Sequence, residues 1–434
     1  MSISICLVSL NCVSQDTAER HVFVSVKAIM SNLAADAVGV NTHLNFGNTL
    51  YATHYEDIIK PRLIELGVKH IRDHFGDDKV NARYTDLAHT YGIKLLLINN
   101  DSGDDLDSVK AEVKRLNAVD PAKPVVDLIE PANERDVGWK KDWVKLCDYM
   151  ANYRKVFKSD PATAAIPLLG PSFANTLQSA VDFGKICTNA SEDMQMGNLH
   201  AYSGLYPESP YSGGWGISFD KAIERYSTIS LNKPLIESES GYKMGEGMQG
   251  HPAVSQRAAA KYSPRLVLER LRRGVSRLYF YQLINAAEDF GLLNDDGSPR
   301  LQFTSLKNFI HLMADEGTDF TPGELRYSLN GDMQNIYQML FQKRDGTYML
   351  LIWQGVNGSA NGTKNNDYRD VENPDRKITL KLPQKAAGIK VYRPSFNTLP
   401  DGNGVMPVAT IKNRSDIELS VPDHVLVVEI SIKK

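Results

Sequence analysis

Between residues 37 and 315 short apolar runs alternate with longer stretches in which apolar residues recur every three or four positions. The runs 37–44 (AVGVNTHL), 68–75 (VKHIRDHF), 93–99 (IKLLLIN), 125–130 (VVDLIE), 166–173 (IPLLGPSF), 196–202 (MGNLHAY), 234–240 (PLIESES) and 277–284 (RLYFYQLI) are strand-length and nearly all apolar, as strands covered on both faces are. The stretches 55–67, 84–92, 105–119, 139–159, 217–229, 253–274 and 305–315 have helical periodicity, with Gly67 as a C-cap. Pro264 is expected to kink or split the helix over 253–274. Eight strands alternating with helices predict a parallel sheet wrapped by helices. The span suits a closed (β/α)8 TIM barrel, for which about 250 residues is typical, better than an open sheet. No G-x-G-x-x-G follows the first strand, so a dinucleotide-binding fold has no support.

The period changes near residue 323. ELRYSL (324–329), IYQMLFQKR (336–344), TYMLLIWQG (347–355), KITLKLP (377–383), IKVYRPS (389–395) and 417–432 read as short strands, separated by Gly, Asn, Asp and Pro clusters such as 354–367. The expected organisation is an N-terminal segment over 1–30, a catalytic (β/α)8 barrel over 31–320 and a C-terminal antiparallel β-sandwich over 321–434. Within the N-terminal segment, 21–28 (HVFVSVKA) offers an extra strand to the sandwich. Residues 3–13 (ISICLVSLNCV) have the length of a signal-peptide apolar region but lack a basic flank. An export-signal remnant and a plain strand or disordered end both fit. The compartment follows from that choice: extracytoplasmic or secreted in the first case, cytoplasmic in the second.

Composition narrows the function classes. The chain of 434 residues is 42% hydrophobic and 23% charged with a net charge of −3. This is ordinary for a globular protein and offers no basic surface for nucleic acid. No stretch reaches the length of a membrane span. Cys6, Cys12, Cys147 and Cys187 form no C-x-x-C and no metal-ligand spacing, so no disulfide framework is expected and Cys147 reads as core. His70 and His74 lack a convergent third ligand, and GPSFA (170–174) is not a nucleophile elbow. Neither a metal nor an organic cofactor is expected.

In a barrel of this kind, polar residues at the C-terminal strand ends face the active-site mouth. Those ends hold Asn41 and His43, Arg72, Asp73 and His74, Asn133 and Glu134, His200 and Tyr202, Glu237 and Glu239, and Tyr279, Tyr281 and Gln282. Strands four and seven lie opposite each other, so their carboxylates can converge. A carboxyl pair flanking an acetal delivers a proton to the leaving oxygen and stabilises the oxocarbenium-like centre; a spacing of about 5–5.5 Å gives retention. Alternatives stay open at this point. Asn133 or Glu134 could instead cap the helix near Trp139. Glu237, two residues from Glu239 and so expected on the same side, competes with it and would need a partner such as Arg72 to stay ionised. Tyr51, Tyr206, Tyr211, Trp215 and Tyr242 are candidate stacking platforms, several of them in the Gly/Pro/Ser-rich stretch 202–216.

ANERD (132–136) and PLIESESGY (234–242) resemble the two catalytic signatures of glycoside hydrolase clan A, which includes families 5 and 39. The resemblance implies Glu134 as acid/base and Glu239 as nucleophile. HIRDH (70–74) is similar to the segment that supplies an arginine to the nucleophile, here Arg72. LHAY (199–202) implies that His200 lines the sugar site and that Tyr202 touches the nucleophile. FGLLNDDGSPR (290–300) is similar to the segment after strand eight in these enzymes. Asn133, His43 and Trp215 complete the expected sugar contacts. Two departures stand out: Tyr281 occupies the region where the clan usually has a tryptophan platform, and Glu130 is a third acid close to the pair. The implied activity is that of a retaining glycoside hydrolase cleaving an O-glycosidic bond of an oligo- or polysaccharide by double displacement. A transglycosylase with the same residues and a non-catalytic carbohydrate-binding barrel are the alternatives. The oligomeric state cannot be read from the residues.

Overall fold

The computed structural model describes residues 22–99, 105–211, 216–244, 253–285, 289–315, 317, 319–360, 369–400, 402 and 404–432. Seven parallel strands form one curled sheet. In spatial order they are Val126–Glu130, Lys94–Ile98, His70–Asp73, Val38–Asn41, Val275–Phe280, Leu235–Ser240 and Gly197–His200. The strand that comes first in the chain, Val38–Asn41, thus pairs with the one that comes last, Val275–Phe280. The expected strand over 166–173 shrinks to two bridged residues: Leu168 pairs with Ile129, and Leu169 with Met196, both parallel. Pro167 and Pro171 flank the pair and have no N–H to extend a ladder.

Helices cover this sheet, and their limits differ from the periodic pattern in instructive places. The helix expected over 84–92 starts at Asp78, because Asp77 accepts a hydrogen bond from the Val80 N–H and caps it. The expected helix over 55–67 is a π turn, Tyr55–Ile59, running into the helix Lys60–Leu66, which Gly67 closes at φ 84°. The stretch 139–159 begins its helix only at Trp143, after Asp142 caps Lys145. A helix over Thr176–Ile186, capped by Asn175, is an element that the sequence pattern missed. Among the described residues no helix is long and apolar enough to cross a membrane.

Pro264 does not split its helix: Gln256–Arg272 is continuous. Proline leaves the carbonyl four residues earlier without its N–H partner. Here that carbonyl, Ala260 O, accepts from the Ser305 and Ser395 hydroxyls at 2.7 and 3.2 Å. Every residue from Ala258 to Arg270 is buried, because this helix lies between the parallel sheet and the C-terminal strands.

The cysteine expectation is corrected. Cys147, in the helix Trp143–Lys158, is disulfide-bonded to Cys187, which follows the helix Thr176–Ile186. The pair is 40 residues apart in sequence. Only the packing of these two helices brings it together, so no local spacing announced it.

The rest of the chain forms two larger antiparallel sheets. One has the order Val24–Lys27, Glu324–Gly331, Arg376–Ala386, Arg414–Val421. The other runs Pro407–Ile411, Gly388–Tyr392, Leu426–Ser431, Tyr348–Gln354, Ile336–Gln342, and ends in a parallel pairing with Ile29–Met30. Alternate apolar residues of both, among them Leu325, Leu350, Ile378, Leu419 and Val428, share one core. The N-terminal strands thus belong structurally with the C-terminal sheets.

Candidate active site

The C-terminal strand ends of the parallel sheet converge on Arg72, which is 2% exposed. Its guanidinium has five N–H donors, and each finds an acceptor. Nε and Nη2 reach the two oxygens of Glu130 at 2.6 and 3.0 Å; Nη1 reaches Asn41 Oδ1 at 2.7 Å and Glu239 Oε1 at 2.6 Å; Nη2 reaches Asn133 Oδ1 at 2.8 Å. Three strand ends are thereby tied to a fourth. Glu130, fully buried, also accepts from the Ser172 hydroxyl at 2.8 Å.

Glu239 and Glu134 face each other across His200. Tyr202 donates its hydroxyl to Glu239 Oε2 at 3.1 Å. His200 Nδ1 lies 2.9 Å from Glu134 Oε1 and Nε2 lies 2.9 Å from Ser238 Oγ. Whenever the Glu134 carboxylate is ionised it can only accept, and Nδ1–H is then the donor. One oxygen from each carboxylate and one imidazole nitrogen all lie within 4.8 Å of one another. That closeness would also suit a metal ion, a possibility that sequence spacing did not suggest. The Arg72 guanidinium already neutralises Glu239 from the other side, which disfavours a further cation. The two side chains differ in access: Glu134 is 34% exposed and Glu239 13%.

Glu134 follows the strand end in a left-handed turn, with φ 47°. Its N–H is fixed by Ser172 O at 3.2 Å and Oγ at 3.3 Å. The capping alternative falls away, since Glu134 makes no side-chain cap bond to Arg135–Gly138 and Asp142 caps the longer helix.

Burial opposes charge on every one of these groups, and the partners decide the outcome. For Glu239, burial would raise the pKa, but the charges of His200 and Arg72 and hydrogen bonds from Arg72 and Tyr202 hold it below the usual value. Glu130 is likewise held low against its burial by Arg72. Burial would lower His200, yet Glu239 and Glu134 raise it. Tyr202 is pushed well above its ordinary value by burial and by Glu239, so it stays a neutral donor.

An aromatic arc borders the cluster. Phe290 meets Tyr202 edge-on at 5.5 Å and Tyr281 at 5.9 Å; His43 meets Tyr281 at 6.0 Å and stacks on Phe46 at 4.6 Å. Burial brings the His43 imidazole down to about 4, so it is neutral over the physiological range. His74 falls to about 4 through burial and the charge of Arg72. Trp215 lies outside the described residues.

Several sequence expectations need correction. Glu237 is not on the side of Glu239. Opposite the strand Gly197–His200, Glu237 pairs with Leu199 and Glu239 with His200, so Ser238 is an inserted residue that reverses the alternation. Glu237 turns instead to Arg270, whose Nε and Nη2 donate to it at 2.5 and 3.0 Å. Tyr51 and Tyr242 are buried, and Tyr51 donates its hydroxyl to Ile284 O at 2.9 Å, so neither offers a stacking face. Tyr279 is buried in the inner core with Leu96 and Ile236. His70 bonds Asp36 at 2.9 Å, away from His74. Ser172, Ser238 and Phe290 were missed as site residues; Ser238 lies inside PLIESESGY and Phe290 opens FGLLNDDGSPR, but neither pattern tells that these side chains join the cluster.

No protein-family model matches the chain, and no curated protein matches it in sequence. Solved structures do match in fold. A family 39 glycoside hydrolase (GH39) from Xanthomonas axonopodis pv. citri superposes with a TM-score of 0.62 at 15% identity, covering 94% of this chain and 95% of that one. A GH39 β-xylosidase from Caulobacter crescentus gives 0.60 at 14%, covering 91% and 96%. A family 51 α-L-arabinofuranosidase from Bifidobacterium longum gives 0.56 at 13%, covering 94% and 97%. The chain therefore shares the fold of clan A glycoside hydrolases over nearly its whole length.

Proposed function

We propose that the protein is a retaining glycoside hydrolase acting on an oligo- or polysaccharide, with Glu239 as nucleophile and Glu134 as acid/base. The observation that carries this is that one oxygen of each carboxylate comes within 4.8 Å of the other beside His200. An inverting pair, by contrast, stands about 6.5–9.5 Å apart to admit a water. The fold shared with glycosidases supports the same class of reaction.

In the proposed cycle an oxygen of ionised Glu239 bonds to the anomeric carbon while the bond to the leaving oxygen breaks. Protonated Glu134 gives that oxygen its proton. The Nδ1–H of His200 then steadies the Glu134 carboxylate left behind. Water next attacks the glycosyl ester, Glu134 takes its proton, and Glu239 leaves as a carboxylate. Arg72 and Tyr202 favour the ionised form of Glu239 at the start and end of the cycle. Asn133 gives its oxygen to Arg72, which leaves its Nδ2 to donate to the sugar 2-hydroxyl.

The same proposal includes the architecture and compartment. The two bridges at Leu168 and Leu169 support a closed (β/α)8 barrel over residues 31–320. The shared core of the antiparallel sheets supports a β-sandwich formed by 321–434 together with the strands before residue 31. The Cys147–Cys187 disulfide supports an oxidising, extracytoplasmic location.

Incubation with a panel of activated 2-deoxy-2-fluoroglycosides tests the mechanism. The expected result is a stable adduct on the peptide bearing Glu239, with product NMR showing a retained anomeric configuration. Labelling at another residue, or an inverted product, overturns the assignment.

A further inference from the structure

The segment that carries Tyr202 leads away from the strand Gly197–His200 and returns at Ile217, whose N–H bonds Tyr202 O at 3.0 Å. Its described part, 201–211, is rich in Ser, Gly and Pro, a composition that by itself specifies little structure. Yet Ser203 and Ser209 are buried, and the reason lies at Glu208. That side chain, 1% exposed, is inserted between the helix Gln256–Arg272 and the C-terminal sheets. It accepts from Trp353 Nε1 at 2.7 Å, from Arg265 Nε at 3.1 Å, and from Arg265 Nη2.

Both donors are themselves immobilised. Arg265 is wholly buried and spends its remaining N–H groups on Val356 O at 3.1 Å and Asp423 O at 2.8 Å, both in turns of the C-terminal sheets. Trp353, also wholly buried, lies in the strand Tyr348–Gln354 and stacks on Tyr337 at 5.9 Å. A buried carboxylate is costly unless it is paired and hydrogen-bonded. Here the pairing spans three separate parts of the chain, so Glu208 can keep its partners only while the loop is seated.

We propose that Glu208 is a positioning residue that fastens the Tyr202 loop to the C-terminal sheets, so that these sheets hold the Tyr202 hydroxyl against Glu239. The consequence for turnover rests on the glycosidase reading above; the fastening itself does not. The C-terminal sheets are then part of the catalytic apparatus, acting at second hand through one loop.

The test uses the full chain carrying W353F, which removes the indole donor and keeps an aromatic ring on Tyr337. E208Q is the second variant. Hydrogen exchange is followed at the bonded amides of Ser209 and Ile217, with those of Leu426–Ser431 as the internal control, alongside the pH profile of kcat/KM on an aryl glycoside. The expected result is roughly tenfold faster exchange at the two loop amides, an unchanged control strand, and an acid limb displaced upward, in the direction that Tyr202→Phe moves it. E208Q gives the same signs with larger amplitude. Unchanged loop exchange, or faster loop exchange with an acid limb that stays in place, overturns the proposal. If the wild-type chain cleaves no glycoside while the loop amides still respond, the fastening stands and the glycosidase reading falls.

Discussion

Two carboxylates of the same strand, Glu237 and Glu239, have each recruited a buried arginine, and they have opposite properties. Glu237 meets Arg270 in a closed pair on the helix side, with the guanidinium 3.6 Å from the Phe219 ring centroid. Burial there is strong enough to raise the Glu237 pKa despite Arg270. Glu239 meets Arg72 at the mouth, and its pKa is lowered, because against the same burial it has His200, Arg72 and the Tyr202 hydroxyl. A buried arginine–glutamate pair is thus no mark of a site on its own; such pairs are often structural. The distinguishing feature is a partially accessible carboxylate whose partners stabilise its charge and leave it facing a second carboxylate.

That contrast can be broken by substitution. Glu239→Gln should abolish turnover, by at least about 10⁴-fold in kcat, with the unfolding transition retained; an active E239Q would end the assignment. Glu134→Gln should cost about 10²–10⁴-fold, and less for aryl glycosides whose leaving group needs no proton, as a leaving-group series would show. Glu237→Gln should behave in the opposite way. It leaves kcat per folded molecule near wild type and destabilises by about 3–5 kcal/mol, because the Arg270 charge stays buried without its partner; urea unfolding reads this directly. Were E237Q folded and inactive, the roles of the two acids would have to be exchanged.

The smallest effect sharpens the electrostatic side of the contrast. As the proposed nucleophile, Glu239 must be ionised to attack, and its pKa lies below the ordinary carboxylate value, so activity should persist as pH falls into the lower carboxylate range. Tyr202→Phe removes one of the interactions that lower it. The Glu239 pKa then rises, and the acid limb of kcat/KM moves to higher pH by up to about one unit, equivalent to about 1.4 kcal/mol. The same substitution made in E237Q should move the limb equally, since Glu237 plays no part in it.

The residues of the cluster were more legible in the sequence than the connections among them. Asn133, Glu134 and Glu239 follow apolar runs whose order can be counted, and Arg72, His200 and Tyr202 fall at strand ends by the same count. The structure brings all six together. The orientation of Glu237 was illegible, because one inserted residue, Ser238, defeats a period of two. Of the partners of Arg72, Glu239 was legible through the resemblance, whereas Glu237 was the wrong alternative and Glu130 arrives unannounced from a strand far along the chain. The helix Thr176–Ile186 escaped notice, and with it the disulfide that joins it to its neighbour. Tyr51 and Tyr242 show the reverse error, in which a loop-like setting suggested exposure for rings that the core absorbs.

If the cluster binds sugar as proposed, the complete engagement of Arg72 limits which sugars it can favour. With every proton of the guanidinium already spoken for, an incoming carboxylate or sulfate finds no unclaimed donor there and meets Glu130 and Glu239 behind it. On the proposed glycosidase reading, selection at the reacting ring would fall instead to uncharged groups, the Asn133 amide and the neutral His43 imidazole among them, which would suit a pyranose or furanose decorated with hydroxyls alone.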